Sequence, residues 1–219
     1  MSKLLHASAA LACAMTLLPA QAELAASVDV ANLYLFRGLN MSNGSPVLAG
    51  SLNYAHNSGL YAGVWSTSGD DTLGSEVDYY FGYEGNLKDF SYNLSYLNYY
   101  YPKSKGTTAA IVDINDYAEV SLALGYKDVN VSLTAPTSDE IAGDYLYYLL
   151  SYSYQNFSLA VGVNDHENRA SQYSHLDLAY QFNDRLSFAV SQVIDQGRGA
   201  TFSDATLLLV KLSLPIALN

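Results

Sequence analysis

From Glu76 to Glu84 the chain alternates strictly. Glu76, Asp78, Tyr80, Gly82 and Glu84 share one parity, and Val77, Tyr79, Phe81 and Tyr83 share the other. A period of two puts each set on its own face of a β-strand, so one face is acidic and the other apolar and aromatic. Asn86-Leu87-Lys88-Asp89 turns the chain, after which Ser91, Asn93 and Ser95 alternate with Tyr92, Leu94 and Tyr96. The stretch 76–101 therefore predicts a β-hairpin with one wet face and one dry face.

The same alternation recurs along the chain. It predicts twelve strands, over 26–37, 46–56, 60–68, 75–85, 90–101, 116–126, 129–135, 144–154, 157–164, 172–181, 185–193 and 204–214. In 129–135, for example, Val129, Val131 and Leu133 oppose Asn130, Ser132 and Thr134. The polar faces are mostly Ser, Ala, Gly, Asn and Thr. A soluble sandwich would expose a charged face outside its buried one. Here charge is only 14% of the residues, and much of it falls between the strands. Small polar side chains on one face suit the inside of a barrel.

The connections alternate in length. The segments 38–45, 69–74, 102–115, 136–143, 165–171 and 194–203 are long, whereas 57–59, 86–89, 127–128, 155–156 and 182–184 are short. An up-and-down barrel with both termini on one rim has this rhythm, with short periplasmic turns and longer external loops. An even strand number lets the first and last strands pair and leaves no open edge. The expected fold is all-β, an up-and-down antiparallel transmembrane β-barrel.

Residues 1–22 read as a cleaved secretory signal. Lys3 is its positive start, 4–18 its short apolar core, and Ala20-Gln21-Ala22 its cleavage site. A single barrel domain over 23–219 follows, exported to the cell outer membrane. Cys13 is the chain's one cysteine, so the expected mature chain has no disulfide. A formal net charge of −11 argues against nucleic acid as a partner, because that role needs a basic face.

The first half also resembles the TorF family of predicted outer-membrane porins. The residues that carry the likeness are Asn32-Leu33-Tyr34-Leu35-Phe36-Arg37-Gly38-Leu39, Ser42, Gly44, Pro46, Tyr54 and 59–65. It continues through Glu76-Val77-Asp78-Tyr79-Tyr80-Phe81-Gly82-Tyr83, Tyr96, Tyr99, Tyr101-Pro102 and Asp116-Tyr117-Ala118-Glu119. The resemblance implies a membrane barrel and no catalytic residues.

Strand direction and parity assign candidate positions. Arg37, Glu76, Asp78 and Glu119 are expected to form a charged ring in the outer part of the lumen. Such rings set ion preference in pores, and the excess of acids here predicts a weak preference for cations. The competing reading is that the four pair with one another and fill the interior. Asp29 and Lys211 are expected to meet as an ion pair across the seam between the first and last strands. Tyr61, Trp65, Tyr79, Phe81, Tyr83, Tyr92, Tyr96, Tyr148 and Tyr152 are expected to face lipid. Tyr80, Tyr117, Tyr145, Tyr147 and Tyr173 have lumenal parity.

No metal or other cofactor is expected. Asp165-His166-Glu167 is one consecutive run, with no second ligand cluster at useful spacing. No serine motif accompanies His56 or His175, which argues against an outer-membrane lipase, and no enzyme is expected. The expected function is passive passage of small hydrophilic solutes or ions, by a monomer or a homo-oligomer in outer-membrane lipid. Two alternatives stay open. One is a closed barrel acting as adhesin, structural protein or envelope sensor through its acidic loops. The other is a soluble β-protein that binds an apolar ligand.

Overall fold

The computed structural model describes residues 23–70, 74–103, 112–137 and 143–218. The 1–22 segment, and parts of the expected loops at 69–74, 102–115 and 136–143, lie outside the described residues. The strands are β1 (Glu23–Ala31), β2 (Leu35–Phe36), β3 (Leu39–Asn40), β4 (Val47–Ala55), β5 (Leu60–Asp70), β6 (Gly74–Leu87) and β7 (Phe90–Lys103). They continue with β8 (Val112–Tyr126), β9 (Val129–Pro136), β10 (Tyr145–Tyr154), β11 (Phe157–His166), β12 (Tyr173–Gln181), β13 (Leu186–Gln196) and β14 (Leu207–Ile216). Twelve of them close an antiparallel barrel in sequence order, sealed where β14 pairs with β1. β2 and β3 form a separate small hairpin.

The two faces sort as the alternation predicts. Leu48, Leu52, Phe81, Leu94, Leu122, Val131, Leu150, Leu159, Leu178 and Leu208 point outward and are exposed all round the barrel. Inward positions hold residues such as Ser51, Asn53, Ser121, Thr134, Ser158 and Ser191, several of them hydrogen-bonded across strands. Ser27 Oγ lies 3.0 Å from Ser51 Oγ, and Ser121 Oγ lies 2.7 Å from Thr134 Oγ1.

The short rim is built from tight reversals. Lys88, Lys127 and Gln155 each open a two-residue connection with a positive φ, between 53° and 59°. A positive φ at the turn lets the reversal follow the right-handed twist of the paired strands. On the opposite rim, β5 and β6 run on to Asp70 and Gly74, so the 69–74 connection is shorter than the sequence suggests.

The first expected strand needs a larger correction. It ends at Ala31, not at residue 37. Asn32 stops it. Its Nδ2 donates to Leu208 O at 2.8 Å, and its Oδ1 accepts from Val210 N at 2.7 Å, so the side chain takes over the pairing with β14. The chain then turns inward. Leu35-Phe36 pairs with Leu39-Asn40 around Arg37 (φ 47°) and Gly38 (φ 82°). Two central residues with positive φ are what a primed two-residue hairpin turn requires. The turn is anchored at its base by Met41 N donating to Tyr34 O and Tyr34 N donating to Ser42 Oγ.

Tyr61 and Trp65 are also corrected. Both are buried inside the barrel, packed with Ala31, Tyr34, Val47 and Tyr80, and neither faces lipid. The outward face of β5 carries Leu60, Ala62 and Val64, which oppose Tyr83, Phe81 and Tyr79. Inside, Tyr61 opposes Gly82, and Tyr80 opposes Gly63. A Cβ on Gly63 would come within 2.4 Å of the Tyr80 ring, and one on Gly82 within 2.4 Å of the Tyr61 hydroxyl. Large and small residues are thus matched reciprocally on both faces, and β5 had the smaller outward set. Tyr79, Phe81, Tyr83, Tyr92, Tyr148 and Tyr152 are exposed on the outer face, and Tyr96 stacks on Phe81 there at 5.2 Å.

The close approach at Gly162 gives a prediction. A Cβ there would lie 2.1 Å from His175 Nε2 and 2.5 Å from the Tyr147 hydroxyl, both buried. Gly162→Ala should lower stability by about 1–3 kcal/mol, the range for overpacking a tight interior. Urea unfolding of the micelle-bound barrel, followed by the heat-modifiable gel shift, checks it.

Candidate functional site

The inward hairpin creates the site. It springs from the end of β1 and reaches residues on β5, β7, β8, β10 and β12. Tyr34 meets Trp65 of β5 at 5.7 Å between rings, and Phe36 meets Tyr99 of β7 edge-on at 6.3 Å. A Cβ on Gly38 would come 2.4 Å from His175 of β12. The hairpin therefore crosses the lumen in the half on the side of the longer connections.

Arg37, at the hairpin tip, is fixed on the far wall. Its Nη1 donates to Glu119 Oε1 at 2.9 Å and its Nη2 to Glu119 Oε2 at 2.7 Å. A planar guanidinium and a carboxylate match in this two-bond geometry, which adds direction to the charge attraction. Tyr99 donates its hydroxyl to Glu119 Oε2 at 2.9 Å, and the Tyr145 hydroxyl donates to Oε1. The carboxylate thus receives donors on both oxygens. The guanidinium carbon lies 4.4 Å from the Tyr147 ring centre and 4.8 Å from that of Phe36. Aromatic faces attract a cation most strongly where water is excluded. Tyr99 and Tyr117 stack at 4.4 Å behind the carboxylate.

A second polar chain adjoins the first through Tyr147. Its hydroxyl is 2.8 Å from His175 Nε2, and His175 Nδ1 is 3.1 Å from Asp177 Oδ1. Ser191 Oγ donates to the same Asp177 oxygen at 2.5 Å. His175, Asp177 and Ser191 are all buried. The order is not that of a serine hydrolase, in which the imidazole must touch the serine hydroxyl. Here the aspartate stands between them.

The four expected ring residues are all buried inside the barrel, and they divide. Arg37 and Glu119 join in the ion pair. Glu76 and Asp78 lie two residues apart on β6 and are almost fully buried, and Asp78 sits opposite Trp65 and Tyr99 in the strand register. Tyr80, Tyr145, Tyr147 and Tyr173 are buried on the lumenal side. Asp29 and Lys211 do not meet as expected. Asp29 opposes Ser213 and Lys211 opposes Ala31, a shift of two residues from the expected pairing. Asp29 Oδ1 is buried without a hydrogen-bond partner, and the ion pairs among the described residues are Arg37–Glu119 and His175–Asp177. The sequence pattern at the two terminal strands is too irregular to set the seam register.

Sequence reasoning passed over His175, Asp177 and Tyr99 as partners. Their lumenal parity was legible, but the segment they would touch had been assigned to a strand. Asp165-His166-Glu167 is dispersed by its neighbours. Asp165 Oδ1 accepts from Gln172, the His166 ring stacks on Tyr145 at 5.9 Å, and Glu167 Oε1 accepts from Asp144 N. Among the described residues no group of three or more His, Cys, Asp or Glu side chains is gathered as a metal site would need.

Tyr147 holds both the guanidinium and the imidazole, and these roles separate by mutation. Tyr147→Phe keeps the ring under Arg37 but leaves the buried His175 Nε2 without this partner, which should cost about 1–3 kcal/mol. Tyr147→Leu removes the aromatic face as well and should cost up to about 2 kcal/mol more. Unfolding of both variants in micelles measures the difference.

The chain is similar in fold to the KdgM porin, at 7% identity and a TM-score of 0.48, covering 90% of this chain and 100% of that one. It is similar to the NanC porin, at 12% identity and a TM-score of 0.47, covering 88% of this chain and 100% of that one. It is also similar to OccK10 (OpdN) of Pseudomonas aeruginosa, at 14% identity and a TM-score of 0.38, covering 90% of this chain and 71% of that one. No curated protein sequence matches it. The profile of one sequence family spans residues 19–204, and the chain belongs to that family, Gcw_chp, bacterial proteins of unknown function.

Proposed function

We propose that the chain is an outer-membrane porin that passes small hydrophilic solutes or ions, with a preference for cations. The observation that carries this reading is the pairing of a continuous apolar outer face with a polar, acidic lumen. Leucine, valine, phenylalanine and tyrosine side chains are exposed on every wall of the barrel. Each large apolar side chain left in water forgoes roughly 1.5–3 kcal/mol, so a belt of them calls for lipid. The soluble apolar-ligand alternative is disfavoured on the same ground, since the apolar residues lie outside and the polar ones inside.

The lumenal face carries Asp29, Glu76, Asp78, Glu84, Glu119 and Asp177 against Arg37 and Lys211. An excess of acids along a narrow path raises the local concentration of cations and repels anions. The resemblance of 32–39 and 76–83 to the TorF porins supports the same reading. One observation favours a rival, a closed barrel acting through its loops: the hairpin occupies the outer lumen and is tied to both sides.

Planar-bilayer recordings under a salt gradient test the reading with wild type and Arg37→Ala. Discrete steps are expected, larger in Arg37→Ala, with a reversal potential that leans to cations. Glu76→Gln with Asp78→Asn should move that potential toward zero. Steps from neither protein at any voltage would favour the closed barrel. An unchanged potential in the double variant would remove the acidic pair from selectivity.

A further inference from the structure

The far wall of the lumen is arranged to hold a guanidinium. Glu119 offers both oxygens side by side, oriented by the hydroxyls of Tyr99 and Tyr145, and Tyr147 supplies an aromatic face above them. All of these groups belong to the barrel wall. Their occupant, Arg37, belongs to a hairpin whose chain joins the barrel at the end of β1 and the start of β4 and whose Tyr34 and Phe36 pack on the rings of Trp65 and Tyr99. A wall cradle filled by a side chain on a separable element can also be filled by a free molecule that carries the same group.

Two features bear on whether the tethered occupant can be displaced. Arg37 sits at φ 47°, a left-handed conformation unfavourable for a side chain other than glycine, so its seat is held against some backbone strain. The tether gives the guanidinium a local concentration that a flexible linker typically sets in the millimolar range, and a free competitor must match it. The lumen that such a competitor would enter is acidic and so draws cations inward.

We propose that the Glu119–Tyr99–Tyr145–Tyr147 cradle is a binding site for guanidinium-bearing solutes, which displace Arg37 and release the hairpin from the lumen. A planar guanidinium fits the two carboxylate oxygens and the tyrosine face together, which a sodium ion cannot do. The proposal rests on the porin reading for the route by which the solute arrives; binding itself is read without any current.

Trp65 is the chain's one tryptophan, and it packs against Tyr34 of the hairpin, so its emission reports whether the hairpin is seated. Refolded protein in micelles is titrated with methylguanidinium chloride, with sodium chloride at the same ionic strength as the control. A saturable shift of the Trp65 emission is expected with methylguanidinium alone, with half-saturation of order millimolar, and absent in Glu119→Gln. In Arg37→Ala the cradle is left empty, and methylguanidinium should raise the temperature of the heat-modifiable gel transition by several degrees. The rescue should vanish in Arg37→Ala with Glu119→Gln. If Arg37→Ala refolds poorly, recovery of the heat-modifiable form only when methylguanidinium is present during refolding supports the site. Equal effects of sodium and methylguanidinium, or a response that survives loss of Glu119, overturn the proposal. Absence of channel steps with these responses intact would instead count against the porin reading alone.

Discussion

A closed barrel leaves no strand edge unpaired, so the structure depends first on the closing contact between β1 and β14. Six residues of β1, from Ala26 to Ala31, pair with Ile216 through Lys211 and complete the circuit of backbone hydrogen bonds. That contact is short because Asn32 ends it. The asparagine side chain satisfies Leu208 O and Val210 N, so β14 stays bonded where β1 departs. The departure is what frees the segment 33–42 to turn inward, while 43–46 stay exposed. Closure rests on the pairing of Ala26–Ala31 with β14, and the Asn32 side chain keeps β14 bonded where the chain turns inward.

Once inside, the hairpin needs partners for a charge in a confined space. An unpaired buried guanidinium would cost several kcal/mol, and the same holds for Glu119 alone. The bidentate bond, two tyrosine hydroxyls and two aromatic faces offset both costs at a single point. The Tyr147–His175–Asp177–Ser191 chain continues the polar network around the wall, so that the hairpin tip meets satisfied groups on β8, β10 and β12. One half of the interior holds the hairpin and its partners, and the other carries small polar residues such as Ser51, Asn53 and Ser158.

The barrel was legible in the sequence because strand parity is a two-letter signal repeated many times. In β6 the parity of Glu76, Asp78 and Tyr80 is read without ambiguity, and the lumen received all three. Parity failed for Tyr61 and Trp65, where both faces of β5 carry apolar residues and the decision lies in the neighbouring strand. Gly82, opposite Tyr61, held the missing information. The inward hairpin was hidden for another reason. Residues 32–37 continue an apolar pattern that a strand would also show, and only Arg37-Gly38 between Leu35-Phe36 and Leu39-Asn40 marks the turn. Arg37 was expected in the lumen on strand parity; it lies there on a hairpin instead. The seam pair of Asp29 and Lys211 required a register that alternation cannot fix, since a slip of two residues preserves every face.

The account centres on the bond that holds the hairpin to the opposite wall, and a double-mutant cycle measures it most directly. Arg37→Met, Glu119→Leu and the double variant are refolded in micelles and their unfolding free energies compared. The structure predicts that each single change is strongly destabilising, by about 3–5 kcal/mol, and that the double variant loses far less than their sum. Losses that add to within about 0.5 kcal/mol would show that the two residues do not act on each other, and would contradict a hairpin latched across the lumen.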